Sequence, residues 1–308
     1  MPELAEVEFY RKQWDPGLRQ AILSVHGNFR SRIFRGIFAD TLRRALTGAV
    51  FTGSQAHGKQ MLFRFSGGKW LGLHLGMSGT LRSEPPAAKP RKHDHLVLHQ
   101  KKQNLVLNDY RHFGRVRWHQ GPQPPPWWTA LPPSLLSGPF TPEVLAQFLK
   151  RRSRSPLKAV LLMQERFPGI GNWIADEILW RARLHPRRPA GSLETSERNA
   201  LYRALRTVCR QALKVIGTDF SDPPPSWLFS HRWKKGGSCP RCSAGLRHDA
   251  ITGRTSCWCP RCQPMKPFFG APTTSAASSR KTVPFQTGLK KRWARLSKAR
   301  TPFLQKKP

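Results

Sequence analysis

Acidic residues are scarce in this chain. Its 308 residues include 17 Asp and Glu against 53 Lys and Arg, a formal net charge of +36. So positive a chain is a poor partner for cations and a good one for polyanions: nucleic acid or an anionic membrane surface. Long apolar runs are missing too. No stretch reaches the ~18 residues that a transmembrane helix needs. Glu3, Glu6 and Glu8 stand where a secretory signal would carry its basic region. The expectation is a cytoplasmic, nucleoid-associated protein with no membrane partner. Six cysteines are few for this length. In a reducing compartment they read as metal ligands or free thiols before disulfides. No internal repeat is visible.

What is present divides the chain. Residues 21–119 hold short runs of alternating polarity separated by Gly, such as "MLFRF", "KWLGLHLG" and "NLVLND", the pattern of a β-sandwich or barrel. Residues 121–142 then carry eight prolines, which exclude a helix or a central strand and mark a linker. After it the period becomes helical. Thr141 is a suitable N-cap, with Pro142 at N1 and Glu143 in the first turn. Further helices are predicted in "PLKAVLLMQERF", "NWIADEILWRARL" and "SERNALYRALRTVCRQALKVIG". Eleven Lys and Arg and no acid follow Gln263, the composition of a disordered basic arm. The divisions are 1–120, a linker at 121–142, a helical unit at 143–222, a cysteine hairpin at 223–263 and the arm at 264–308.

Two C-x-x-C pairs, Cys239/Cys242 and Cys259/Cys262, are spaced for one tetrahedral zinc ion. Cys257 lies close enough to replace Cys259, but Cys259 preserves the paired geometry. Four protein ligands leave no open position, so such a zinc is structural. Arg254 falls between the pairs, at the hairpin tip. Cys209 sits on an apolar helix and reads as a core thiol. "PGIGNW" places a Gly-x-Gly-Asn turn before a helix, where exposed N–H groups make a phosphate site. Pro2 is either an ordinary helix-start residue or a nucleophile.

Read in order, "PELAEVE", "HGKQ", "LHLGMSG", "KHDH", "NDYRHFG", "LLMQ", "PGIGNWIADEIL" and "CPRC…GRTSCWCPRCQ" resemble the bacterial formamidopyrimidine-DNA glycosylases, a family shared with endonuclease VIII. The resemblance spans residues 2–263. It implies an α+β fold: an N-terminal helix and β-sandwich domain, a helix-two-turn-helix domain and a four-cysteine zinc finger. It implies a base-excision repair glycosylase with abasic-site lyase activity, acting as a monomer on damaged double-stranded DNA and removing oxidised purines such as 8-oxoguanine and formamidopyrimidines.

The family pattern assigns roles residue by residue. After methionine removal, Pro2 is the amine nucleophile, Glu3 the acid/base group, and Lys59 the lysine that contacts DNA beside the lesion. Glu6 is a further acid, structural or lesion-facing. His93 or His95, Arg111, Asn172 and Arg254 match phosphate contacts. Met77, Arg111 and Phe113 match residues that fill the void left by a flipped base. Lys158, Gln164, Asp176 and Glu177 match scaffold or DNA-contacting positions.

Departures from the family are also visible: Ala5, Tyr110, His112 and Met163 replace the usual residues. Between Gly217 and Cys239 the family carries a mobile loop over oxidised guanine. Here that segment is Pro-rich, short and without the aromatic-glycine pattern. Two other readings stand beside the main one. The same chemistry could act on oxidised pyrimidines, as in endonuclease VIII, or the chain could be a structure-specific DNA binder without turnover. Retention of Pro2, Glu3 and Lys59 together argues against the binder.

Overall fold

The computed structural model describes residues 1–233 and 236–266; the expected basic arm lies outside them beyond Lys266. The first helix, α1 (Leu4–Lys12), is followed by β1 (Ser24–Gly27) and α2 (Ala39–Leu46). Seven more strands follow: β2 (Phe51–His57), β3 (Gln60–Phe65), β4 (Lys69–His74), β5 (Thr80–Glu84), β6 (Asp94–His99), β7 (Asn104–Asn108) and β8 (Arg115–Gln120). They form two antiparallel sheets, ordered β1-β6-β7-β5 and β2-β3-β4-β8. Alternation along each strand supplies the shared core. Met61, Phe63 and Phe65 of β3 and Leu71 and Leu73 of β4 are buried with Leu96, Leu98, Leu105 and Leu107 of the facing sheet. Each such burial is worth about 1.5–3 kcal/mol.

The linker is more ordered than its prolines imply. It contains one short helix, α3 (Pro126–Thr129), because Pro126 occupies N1, where a missing N–H costs nothing. Trp127 fills the space a side chain at Gly72 would take, a Cβ there falling 2.9 Å from the indole Cζ2. Arg206 donates to the carbonyls of Leu135, Leu136 and Ser137, tying the linker to the helical unit.

That unit comprises α4 (Pro142–Arg151), α5 (Leu157–Leu161), α6 (Asn172–Arg181) and α7 (Thr195–Asp219). Thr141 caps α4 as expected, its Oγ1 accepting Val144 N–H at 3.3 Å. The helix expected through "PLKAVLLMQERF" covers only five residues. It stops because Met163, Arg166 and Phe167 turn back toward the glycine loop that enters α6. A short helix not expected from the sequence, α8 (Leu228–His231), precedes the hairpin of β9 (Arg247–Ile251) and β10 (Arg254–Trp258). Helix α1 belongs to both cores. Val7 and Tyr10 pack into the sandwich, and Leu4 and Ala5 into the helical core. Its N-terminus therefore lies where the two units meet.

Candidate active site and nucleic-acid interface

Three backbone segments converge on Glu3. Leu4 N–H donates to Gly169 O at 3.0 Å, seating the start of α1 on the glycine loop. Gly58, in the turn between β2 and β3, closes against the same loop. Its φ is +58°, and a Cβ would fall 2.8 Å from Pro168 Cβ and 2.9 Å from Gly169 N. A Cβ at Gly171 would fall 2.5 Å from Glu3 Cγ. The glycines at 58 and 171 thus permit a close approach that any side chain would block.

The Gly-x-Gly turn does expose helix N-terminal N–H groups, but not to a phosphate. Glu3 takes them: Oε2 accepts from Gly171 at 2.9 Å and Ile174 at 3.1 Å, and Oε1 from Trp173 at 3.0 Å. The expected phosphate site is filled by the chain's own carboxylate, which satisfies the orphan donors and the positive helix end equally well. Asn172 remains partly exposed at this end, and its Nδ2 donates to Thr255 O of the hairpin at 2.8 Å. This bond draws β10, and Arg254 with it, to the start of α6.

Glu6 lies one turn further along α1, buried. Its Oε2 accepts Glu3 N–H at 3.1 Å and its Oε1 accepts the Trp173 indole N–H at 3.0 Å. Burial, then the nearby Glu3 charge, push its carboxyl up to about 7. Lys59 is largely buried, and its ammonium is shifted below the ordinary lysine range by desolvation. The charges of Glu3 and Glu6 oppose that shift and Arg254 adds to it. Pro2, Glu3, Glu6, Lys59 and Arg254 are thereby brought into one neighbourhood from three separate parts of the sequence.

The void-filling candidates share one rim. Met77 and Phe113 are exposed, 43 % and 44 %, unlike the core residues their types favour. Two guanidinium groups pack on the Phe113 ring, Arg32 at 4.5 Å and Arg111 at 4.9 Å from its centroid. Arg32 also donates to the carbonyls of Arg111 and His112, at 3.1 and 2.6 Å. The loop's base is held by Asp109, whose carboxylate accepts from Ser78 Oγ, Arg111 N and Gly114 N. Of the two histidine alternatives, His93 is partly exposed. His95 is buried against the His112 ring, its Nε2 donating to Asp109 O, with no face for a phosphate.

Sequence reasoning missed His74, although its motif was in view. It lines a cleft of about 430 Å³ with Arg32, Arg35, Arg115 and Arg117. Burial, Lys59 and Arg117 hold its imidazole down to about 4, so it is neutral near pH 7. Gly76 N–H donates to Nδ1 at 3.0 Å, which places the proton on Nε2 as a donor. No signal in the sequence alone marks it, because its pairing with Arg115 across β4 and β8 is set only in the folded sheet.

Lys158, expected at a scaffold or DNA-contacting position, is internal. Its side chain is fully buried, with Nζ 2.5 Å from Asp176 Oδ1 and 2.6 Å from Asn172 O. Asp176 Oδ2 accepts from Arg232 and, at 3.1 Å, from Cys257 N–H. The cluster joins α5, α6, the segment after α8 and β10, so it is scaffold. Glu177 is likewise internal, paired with Arg181 at 2.9 Å, and Gln164 holds the glycine loop through Ile170 O and Gly169 N. Trp227, Leu228 and Phe229, in the short segment after α7, are buried in the protein interior.

The thiols of Cys239, Cys242, Cys259 and Cys262 lie within 4.8 Å of one another, with Cys242–Cys262, Cys242–Cys259 and Cys239–Cys262 at 3.4, 3.5 and 3.9 Å. Tetrahedral ligands at ~2.3 Å from a metal stand about 3.8 Å apart, so the cluster has metal-binding geometry. Trp180 Nε1 donates to Cys239 Sγ at 3.3 Å. Cys257 is outside the cluster, buried on strand β10 of the hairpin. Cys209 is buried in the helical core, its thiol pushed up to about 12 by desolvation.

Comparison with known proteins matches both the sandwich and the helical unit. Residues 1–116 match the formamidopyrimidine-DNA glycosylase N-terminal domain and residues 131–222 the H2TH domain of the same enzymes. The formamidopyrimidine-DNA glycosylase of Thermomicrobium roseum is 36 % identical over 293 residues, covering 86 % of this chain and all of the relative. The chain belongs to the formamidopyrimidine-DNA glycosylase family. The Symbiobacterium thermophilum member is also 36 % identical, over 94 % of this chain and 95 % of the relative. Among solved structures, Lactococcus lactis formamidopyrimidine-DNA glycosylase bound non-covalently to DNA containing an abasic site superimposes with a TM-score of 0.75 at 26 % identity, over 85 % of this chain and all of that one. A complex of the homologous enzyme with DNA carrying carbocyclic 8-oxoguanine gives 0.76 at 27 %, over 86 % and 100 %. The family matches cover the sandwich and the helical unit, and the solved likenesses place this glycosylase-family chain on a DNA-binding fold.

Proposed function

We propose that this chain is a bifunctional base-excision repair enzyme that removes oxidised purines from duplex DNA and cleaves the strand at the resulting abasic site. The observation that carries the reading is the assembly of Pro2, Glu3, Glu6 and Lys59 at the junction of a sandwich and a basic DNA-binding unit. With Met1 removed, Pro2 presents a secondary amine. An α-amine titrates near ~7.7–8.0, so a neutral fraction exists at physiological pH. The amine lone pair attacks C1′ as the bond from C1′ to the base breaks, and the base leaves with that electron pair and takes up a proton. Opening of the sugar ring turns the adduct into an iminium. Loss of a C2′ proton then expels the 3′ phosphate. Glu3, next to Pro2 in the chain, exchanges protons during ring opening, and Lys59 meets the strand at the lesion. His74, Arg111, Asn172 and Arg254 hold phosphates, while Met77, Arg111 and Phe113 occupy the space of the flipped base. Zinc is the metal that suits the four cysteines. It would be held by Cys239, Cys242, Cys259 and Cys262 and keep the hairpin, with Arg254, against α6.

The test is borohydride trapping on an end-labelled duplex with 8-oxoguanine opposite cytosine. A covalent adduct that weakens sharply in Pro2→Gly is expected. An adduct only with thymine-glycol DNA would move the lesion class to pyrimidines. No adduct on either duplex or on an abasic one would leave a DNA binder without turnover.

A further inference from the structure

Trp173 is the second residue of α6, and it touches both acids of the site with different atoms. Its main-chain N–H donates to Glu3 Oε1 at 3.0 Å, and its indole N–H donates to Glu6 Oε1 at 3.0 Å. The ring is fixed by burial and by an edge contact with Phe229 of α8, centroids 5.0 Å apart. The two carboxyls are solvated unequally by the protein. Glu3 accepts the main-chain N–H groups of Gly171, Trp173 and Ile174 at the start of α6, whereas Glu6 accepts the Glu3 N–H and, from α6, the indole.

We propose that Trp173 is a positioning residue that sets the proton affinity of Glu6 through its indole, independently of its main-chain anchor on Glu3. The bearing of this on catalysis rests on the reading of Pro2 as nucleophile. The charged groups around Glu6 are few and nameable. Glu3 faces it from the same helix and favours its protonated form, and Lys59 of the β2–β3 turn interacts with it in the opposite sense. Arg254 of β10 acts on Lys59, and Lys158 of α5 on Glu3. Cys209 of α7 is a neutral thiol. Against this background the indole is the one side-chain donor given to Glu6 among the described residues. A Glu6 carboxyl already pushed up to about 7 exchanges its proton in the range where the Pro2 amine must lose one.

The separation between main chain and side chain makes the proposal testable. Trp173→Phe keeps the Glu3 anchor and the packing on Phe229 and deletes only the indole donor. Glu6 should then hold its proton about tenfold more tightly, its titration rising by about 1 pH unit. The readouts are the Glu6 carboxyl titration, followed by 13C NMR on full-length protein with Glu6→Gln as the assignment reference, and the pH profile of adduct trapping. The ionisation near pH 7 in that profile should move alkaline by the same amount. Should Trp173→Phe fail to fold, β-(3-benzothienyl)alanine at position 173 keeps the bicyclic shape without the N–H and carries the same expectation. An unmoved Glu6 titration, or a trapping profile that does not follow it, overturns the proposal. Absence of trapping in the unmodified protein sinks the glycosylase reading instead, and the NMR titration still decides the role of Trp173.

Discussion

Glu3 Oε2 accepts the main-chain N–H of Gly171 at 2.9 Å, joining residues 168 positions apart. Through this bond the N-terminus of the chain becomes the cap of a helix in the other half of the molecule. The acid of the site and the integrity of the domain junction are one structural feature.

Removing the Glu3 carboxylate should therefore cost stability as well as activity. Glu3→Ala leaves the N–H groups of Gly171, Trp173 and Ile174 without acceptors. A loss of about 2–4 kcal/mol is expected by urea denaturation. A variant as stable as the parent would show that water replaces the carboxylate at this helix end.

Glu6 should make stability fall with rising pH. Its folded carboxyl is raised to about 7, above the ordinary value of an unfolded glutamate. The folded state then binds the proton more tightly, so the contribution is full below the unfolded value, near ~4.3. It is lost as pH rises through about 7. Its size is of order 3 kcal/mol. Urea unfolding at pH 5 and pH 8 should show the slope, and Glu6→Gln should flatten it.

Asp176 balances two buried cations, Lys158 at 2.5 Å and Arg232 at 2.5 Å. Asp176→Ala strands both, and about 3–5 kcal/mol of destabilisation is expected by thermal or denaturant unfolding. Because Asp176 also accepts Cys257 N–H, the hairpin should loosen as well. Faster loss of bound metal to a chelator in Asp176→Asn would report that coupling, and an unchanged rate would refute it.

The arginine cleft beside His74 should carry part of the duplex footprint. Arg115→Ala with Arg117→Ala should lower the slope of log affinity against log salt by about 2, measured by fluorescence anisotropy. Trapping at low salt should persist. An unchanged slope would put the DNA path elsewhere.

Metal content should separate the two neighbouring thiols. One zinc per chain is expected by atomic absorption. Cys259→Ser should lose it, and Cys257→Ser should keep it, since Cys257 lies outside the cluster. Zinc loss from the Cys257 variant alone would reverse the ligand assignment.

Local chemistry was legible in the residues themselves. Period-two runs in the first third made strands because alternation buries one face, and Thr141 with Pro142 started α4 because those residues suit a helix start. The grouping of the four cysteines followed from spacing, because two chelating turns can close on one ion. Motif order pointed to the family and its chemistry. The order in a proline-rich linker was not legible, because its stability comes from docking Trp127 into the space of Gly72, far along the chain.

The partners of each functional group were decided only in three dimensions. The chain could not announce that the Gly-x-Gly turn serves Glu3 rather than a phosphate. Both are anions at a helix end, and only the seating of α1 against Gly169 says which one arrives. Nor could it show that Lys158 is internal, since a lysine on a helix reads the same whether Asp176 or solvent faces it. His74 and Trp173 lay inside quoted motifs, yet their roles depend on neighbours from other strands and helices. Residue type and spacing determine what a group can do. Tertiary packing determines what it meets, because burial and pairing set both its charge and its reach.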